Sequence, residues 1–357
     1  MPHLSMVQGT CKFLLACALS FAAHAAERES RDSLDLYWID VEGGAATVII
    51  TPAGESVLID TGMPGERDPK RIVKAAREAG LKQIDHLIMT HFHIDHFGGA
   101  ADVAKELPII ALYDNGIPEK NPDNPNDNAL WEQWIKPYRE MKVGKRVVVK
   151  PGDTIPLKHT PGLPQLSLRC LAGMQSLIEA QTKKPGVDCE QLTEKPKDTS
   201  DNANSLVFVL QYGDFDMFDG GDLTWNTEAK LVCPENILST VDIYDVNHHG
   251  LDVSNNPLLV KTLAPTVAIM SNGTTKGCGA QTYTTLKNTS SIQAIYQIHK
   301  NLRPDSESNT APELIANLEK NCAANPIKVS VAKDGSKYTV SIPATGHSRQ
   351  FTRKAAR

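Results

Sequence analysis

Residues 88–99, Ile-Met-Thr-His-Phe-His-Ile-Asp-His-Phe-Gly-Gly, place three histidines and an aspartate within six positions, directly after a short apolar run. The run that precedes them, IDHLIMT, reads as a buried strand, so the fold must bring the end of that strand to a sheet edge where polar groups have room to act. His91 and His93 alternate, which in an extended segment points both side chains the same way. Asp95 and His96 follow where the chain turns toward Gly98-Gly99, a pair that lets another backbone pass closely. Histidines at i and i+2 suit one metal ion and the Asp-His pair beyond them suits a second. Zinc accepts imidazole and carboxylate donors without redox chemistry, and manganese or iron accepts the same set.

The rest of the chain repeats this theme of strands ending in polar clusters. Residues 34–62 read as three short strands with turns at Gly43-Gly44 and Pro52-Ala53-Gly54, an antiparallel meander ending in LIDTG. Residues 68–80 place Ile72, Val73, Ala76 and Ala79 on one helical stripe closed by Gly80, and GGAADVAKEL predicts a helix after the histidine loop. NSLVFVLQYGDFDMFDGGDL reads as a hairpin ending in Gly-Gly-Asp, VDIYDVNHHG as a strand ending in two histidines, and LLVKTLAPTVAIMSNG as a helix and a strand. Strands that alternate with helices in this way imply sheets between helical layers, with the chemistry along one edge. No repeat of fixed period is present. Residues 112–142, rich in Asn and Pro and carrying Trp131, Trp134 and Tyr138, and residues 173–204, charged and loop-like, read as insertions. The aromatic stripe at i, i+3, i+7 is read first as packing for its insertion and second as a stacking surface for a base.

Composition narrows the function. Forty-two acids against 37 bases give a formal charge of −5 over 357 residues, with no long basic run, so no dedicated nucleic-acid-binding patch is evident. The N-terminus shows Lys12, an apolar run from Phe13 to Ala23 and then Ala-His-Ala, the pattern of a signal peptide over residues 1–25 with cleavage after Ala25. About a dozen apolar residues fall short of the roughly 20 that a span requires, so no membrane span is expected in the mature chain. The expected organisation is one domain over residues 26–357, periplasmic or secreted. Of 7 cysteines, the five beyond the signal are Cys170, Cys189, Cys233, Cys278 and Cys322. They lack zinc-ribbon spacing and permit up to two disulfides, with Cys170 and Cys189 the nearest pair in sequence.

With these motifs in view, the chain resembles the metallo-β-lactamase superfamily: LIDTG upstream, His91-x-His93-x-Asp95-His96, FDGGDLTW and NHHG follow that family's order over roughly residues 34–300. The resemblance implies an α/β fold, a four-layer αβ/βα sandwich with a one- or two-metal site at the sheet edges. It implies metal ligands His91 and His93 for one ion and Asp95, His96 and His248 for the other, with Asp222 bridging. His248 is preferred over His249 because it stands closer to the strand end. Asp60 is implied as a support for the histidine loop. The family's usual third histidine is missing, since KHTPGLPQ has Leu163 where that ligand would sit. His159, Asp201, Asn202 or a water remain as substitutes. This departure, with DNANSLVFVL, is similar to the nuclease-like domain of competence-type DNA-uptake proteins and their free-standing exported relatives.

The function implied is that of an exported hydrolase, with two zinc ions as cofactor and a metal-bound hydroxide as nucleophile, acting on phosphodiesters. Asp95 or Asp222 would serve as the catalytic proton carrier. Two alternatives stand beside it: a β-lactam or lactone hydrolase using the same water, and a non-catalytic metal-binding scaffold. Lys276, in a glycine-rich loop, is a candidate contact for a substrate anion. No phosphate-loop lysine and no serine nucleophile elbow is present.

Overall fold

Alternation and burial sort the chain into two large sheets. In the computed structural model, which describes residues 1, 31–181, 183–304 and 307–354, the strands in chain order begin with β1 (Ser33–Trp38), β2 (Thr47–Ile50), β3 (Ser56–Ile59), β4 (Ile84–Ile88), β5 (Ile109–Asp114), β6 (Lys145–Val148), β7 (Leu166–Gly173) and β8 (Ser176–Leu177). They continue with β9 (Val207–Tyr212), β10 (Phe215–Asp219), β11 (Ile243–Asp245), β12 (Val267–Met270), β13 (Ala294–His299), β14 (Ile315–Asn317), β15 (Ile327–Ala332), β16 (Lys337–Ile342) and β17 (His347–Thr352). The helices are α1 (Arg67–Glu78), α2 (Ile94–Phe97), α3 (Ala100–Glu106), α4 (Ala129–Glu140), α5 (Trp225–Lys230), α6 (Pro257–Leu263) and α7 (Ala280–Asn288). The expected signal peptide lies, apart from Met1, outside the described residues.

One sheet runs in the order β17-β16-β15-β1-β2-β3-β4-β5-β6 and the other in the order β14-β13-β12-β11-β10-β9-β7-β8. Leu34, Leu36 and Trp38 of β1, Val329 of β15 and Val340 of β16 meet Phe208, Ile269 and Tyr296 in one core between the sheets. Ile72 and Val73 of α1, Val103 of α3 and Ile135 of α4 pack on the outer face of the first sheet. Ala229 of α5, Leu259 of α6 and Leu286 of α7 do the same on the second. The result is helix, sheet, sheet, helix: the expected four-layer sandwich.

β4 is buried along its whole length and pairs in parallel with both β3 and β5. Such a strand is covered on both faces, so Ile84, Leu87 and Ile88 are apolar and its two polar residues are paired: Asp85 Oδ2 accepts from Ser56 N at 2.9 Å, and His86 Nδ1 lies 3.3 Å from Tyr113 Oη. β10, β11 and β12 are likewise mutually parallel. Parallel pairing brings strand ends of one polarity to a common edge, so the segment after β4, carrying His91 to His96, meets those after β10 and β11, carrying Asp222 and His248-His249.

The helix expected over GGAADVAKEL is α3, and one feature ahead of it differs from the sequence reading: the histidine loop itself contains a one-turn helix, α2, which carries Asp95 and His96 and ends before Gly98-Gly99. A Cβ on Gly99 would lie 2.1 Å from the Thr61 carbonyl oxygen, so this junction has room only for glycine. In addition, β15 pairs with β1, and β16 and β17 follow it, so the first sheet is completed by residues beyond 300.

The two insertion segments are both tied down. Trp131 and Tyr138 on α4 are buried and pack edge-on against Phe92 and Phe97 at centroid distances of 5.5 to 6.3 Å, directly beneath the histidine loop. Trp134, the third member of the stripe, is 36% exposed, so the stripe serves packing through two of its three rings. The second insertion is held by a disulfide between Cys189 and Cys233 and by Lys195, which stacks 3.5 Å over the Trp225 ring. Cys170 is a buried thiol in the inter-sheet core, so the pair nearest in sequence is not the pair that bonds.

Candidate metal centre

The structure brings the predicted histidines and carboxylates together around one oxygen. Asp222 Oδ2 lies 3.1 Å from His96 Nε2, 3.3 Å from His249 Nε2, 3.4 Å from His248 Nε2 and 4.0 Å from His91 Nε2. Two sets of potential donors share it: Asp95, His96, Asp222 and His249 form one, and His91, His93 and Asp222 the other, each with donor atoms within 4.8 Å of one another.

Local backbone explains the placement. Asp60, at φ 58°, turns its carboxylate back into the loop, where Oδ1 accepts from Thr90 N at 2.8 Å and Oδ2 accepts from Thr90 Oγ1 and pairs with His96 Nδ1, both at 2.7 Å. His96 Nε2 is thereby left facing Asp222. The Gly43-Gly44 turn lies against the same loop: a Cβ on Gly44 would meet the Asp95 carbonyl oxygen at 2.4 Å. His248 and His249 both adopt left-handed backbone, φ 53° and 55°. Strain of this kind in non-glycine residues persists where surrounding contacts fix it. Here His248 Nδ1 is 3.0 Å from Ser254 Oγ.

Glu228 supplies the main anchor for that histidine turn, and sequence reasoning passed it over because it sits inside an ordinary helical stretch. Its Oε1 accepts from Asn247 Nδ2 at 2.7 Å and Asn255 N at 2.8 Å, and its Oε2 accepts from Asn256 N at 2.7 Å. Burial pushes the Glu228 carboxyl up to about 7, against the pull of these bonds. The folded chain therefore holds a proton between the ordinary glutamate value of 4.5 and about 7 that the unfolded chain has lost. The stability contribution of Glu228 falls as pH rises through that window, by about 3 kcal/mol in all. Glu228→Gln is expected to flatten this slope between pH 5 and 8 and to lower stability by about 1–3 kcal/mol, because its amide turns a donor toward a backbone N–H. Urea unfolding at both pH values measures this, and an unchanged slope would assign the pH dependence to other groups.

The electrostatics suit cations. Burial, reinforced by His96 and His93, holds the His91 imidazole well below its usual range and therefore neutral. Burial opposes ionisation of Asp222 and Asp95, yet surrounding imidazoles outweigh it, with Lys276 adding to the effect at Asp95, and both carboxyls stay well below the usual carboxylate range. Burial also brings His248 down to about 4. Lys276 pairs directly with Asp95. Beneath the centre, Asp219 and Asp245 face each other as register partners on β10 and β11, and burial raises both.

The donor set fits metal ions on the structure's own terms. His91 Nε2 and Asn202 Oδ1 are buried without a protein partner. His96 Nε2 and His249 Nε2 face each other at 3.3 Å, so a single proton or a single shared cation can lie between the two rings.

Of the remaining candidates, Asn202 is buried with its Nδ2 3.5 Å from His248 Nε2, Asp201 accepts from Phe92 N at 2.6 Å, and His159 is exposed in the loop before β7, in neither donor set. His249, not His248, falls within the second donor set. A further group, Asp40, Glu42, His299 and Cys322, lies apart from both. Arg71 approaches Asp40 at 3.0 Å and Glu42 at 3.3 Å, and His299 Nε2 lies 2.7 Å from Asp40, so both carboxylates of that group already have partners within the protein.

Residues 39–178 match the model of the metallo-beta-lactamase superfamily. The chain is 26% identical over 252 residues to ComE operon protein 3 of Bacillus subtilis, covering 66% of this chain and 28% of that protein. It is 24% identical over 234 residues to competence protein ComA of Neisseria gonorrhoeae, covering 65% and 26%. Over 78 residues it is 35% identical to a UPF0173 metal-dependent hydrolase of Thermodesulfovibrio yellowstonii, covering 21% and 27%. Each match spans less than a third of the relative's own length.

Proposed function

We propose that this chain, whose residues 39–178 match the model of the metallo-beta-lactamase superfamily, is an exported two-metal phosphodiesterase. The observation that carries the reading is the pair of donor sets joined at Asp222. His91 and His93 would hold one ion, with Asn202 Oδ1 as the buried oxygen in place of a third histidine; Asp95, His96 and His249 would hold the other; Asp222 would be shared. Zinc fits these nitrogen and carboxylate donors, with manganese or iron as alternatives. When bound, such a pair supplies an acidified water and a counter-charge for a developing oxyanion.

The chain's own residues do the rest. Asp60 fixes His96 with Nε2 inward. Asp95 and Asp222, held ionised, are the acceptors placed to take a proton from the attacking water and return it to the leaving oxygen. Lys276, paired with Asp95 and partly exposed, is free to turn to an anionic substrate when that carboxylate is engaged by an ion. Phosphodiester chemistry is supported by the resemblance to competence-type domains and by the likeness to a competence protein. Export is supported by the N-terminal pattern and by the Cys189–Cys233 disulfide, which suits an oxidising compartment. Recovery of a chain beginning at Ala26 from the periplasm or medium would test it, and a full-length cytosolic product would refute it.

The deciding assay is hydrolysis of bis(p-nitrophenyl) phosphate by the zinc- or manganese-loaded chain, with His91→Ala and a chelated sample in parallel. A metal-dependent rate that His91→Ala lowers about a hundredfold, ~2.7 kcal/mol of barrier, supports the proposal. Absence of such a rate with cleavage of a β-lactam or lactone moves the substrate to a strained ring. Absence of any turnover with metal bound leaves a scaffold.

A further inference from the structure

The insertion rich in Asn and Pro does more than pack beneath the histidine loop, because it also delivers a carboxylate to the second histidine of the motif. Asp123 Oδ2 lies 2.9 Å and Oδ1 3.1 Å from His93 Nε2. This carboxylate is not adrift. Asn121 Oδ1 accepts from Asp123 N at 3.0 Å and Asn124 N at 3.3 Å, Asn128 Oδ1 accepts from Asn121 N at 2.7 Å, and Asn121 Nδ2 donates to the Asp127 carbonyl at 3.0 Å. These local turns are the physical reason the loop needs so many asparagines.

Asp123 also reaches the other insertion. Its Oδ1 accepts from Asp201 N at 2.9 Å, and Asp201 in turn accepts from Phe92 N, the residue between the two motif histidines. Both insertions therefore close on the His91-Phe92-His93 segment, one through a carboxylate on the ring and the other through a carboxylate on the backbone.

A histidine has two ring nitrogens, and a carboxylate on one settles which of them is free for a metal. Asp123 belongs to neither donor set, although His93 belongs to the first. The carboxylate that holds Nε2 thus stands outside the donor set that His93 joins.

We propose that Asp123 is the positioning carboxylate for His93: it accepts the Nε2–H, fixes that tautomer, and leaves Nδ1 as the nitrogen His93 offers to the first metal ion. The proposal rests on the two-metal reading of the site and adds a residue from the insertion to it. Asp123 touches neither metal nor substrate and acts only through the His93 ring.

The test uses the purified chain with Asp123→Ala and Asp123→Asn, the second keeping an acceptor oxygen. Zinc affinity is read by competition with a chromophoric chelator, and the His93 tautomer by the ring nitrogen shifts of ¹⁵N-histidine-labelled protein at pH 9 without metal. The expected result is an Nε2–H ring in the parent chain, loss of that bias in Asp123→Ala, and a 10- to 100-fold weaker affinity for one of the two ions. Asp123→Asn should recover part of the affinity, which a packing role for the loop would not predict. An Nδ1–H ring in the parent chain, or two ions bound by Asp123→Ala with unchanged affinity, overturns the proposal. Failure of the parent chain to bind zinc or manganese would instead overturn the two-metal reading, while the metal-free ring shifts would still decide the role of Asp123.

Discussion

Asp222→Ala is expected to abolish binding of the full metal complement and to lower the hydrolysis of bis(p-nitrophenyl) phosphate by a thousandfold or more, about 4 kcal/mol of barrier. The reason is that one oxygen serves four imidazoles at 3.1 to 4.0 Å. Removing His91 or His249 takes one ligand from one ion, whereas removing Asp222 takes a ligand from both and the only carboxylate common to the two sets. It also removes the counter-charge among rings packed as close as 4.2 Å, so two neighbouring cations would repel across an uncompensated gap. The measurement is metal content per chain after dialysis, alongside the rate and a far-ultraviolet spectrum to show that the fold persists. Two ions retained by a folded Asp222→Ala protein would mean that the donor sets are not joined at this residue.

How much of this centre can be read from sequence follows from how far apart the contacting residues lie. His91, His93, Asp95 and His96 share one loop, so their spacing reports their proximity directly. Asp222 is legible through the family resemblance of FDGGDLTW, which follows a recognisable hairpin. Asp123, 30 positions from His93, and Glu228, 27 positions from Asn255, carry no local mark of their roles, since each acts through a contact that only the tertiary fold creates. The choice between His248 and His249 shows a different limit. Preferring the residue nearer the strand assumes that the strand runs on, but β11 ends at Asp245 and the two histidines sit in left-handed backbone. Side-chain alternation fails there, and the ring that reaches Asp95 is the one further along. The C-terminal strands show the opposite case: IKVSVA alternates clearly in burial, yet its pairing with β1, where Ser33 faces Ala332, has no signal in either segment alone.

On the proposed two-metal reading, Asp60→Asn should lower zinc affinity and any rate on bis(p-nitrophenyl) phosphate by about 10- to 100-fold, with a stability loss of about 1–3 kcal/mol. Asparagine is close to isosteric and tolerates the left-handed backbone that Asp60 adopts, so the substitution leaves the turn alone and changes only hydrogen-bond polarity. All three groups that meet the Asp60 carboxylate require acceptors or a defined tautomer: Thr90 N, Thr90 Oγ1 and His96 Nδ1. An amide has a single acceptor oxygen. If its nitrogen faces Thr90 N, two donors oppose each other in a buried site. If its nitrogen faces His96 Nδ1, it donates there and drives the ring proton to Nε2, the nitrogen 3.1 Å from Asp222 that an ion would need. Either orientation damages the site, and the two are separable: the first appears mainly in the urea midpoint, the second mainly in metal affinity. Wild-type affinity and stability together in Asp60→Asn would show that His96 is oriented by its packing between His91 and His249 rather than by Asp60.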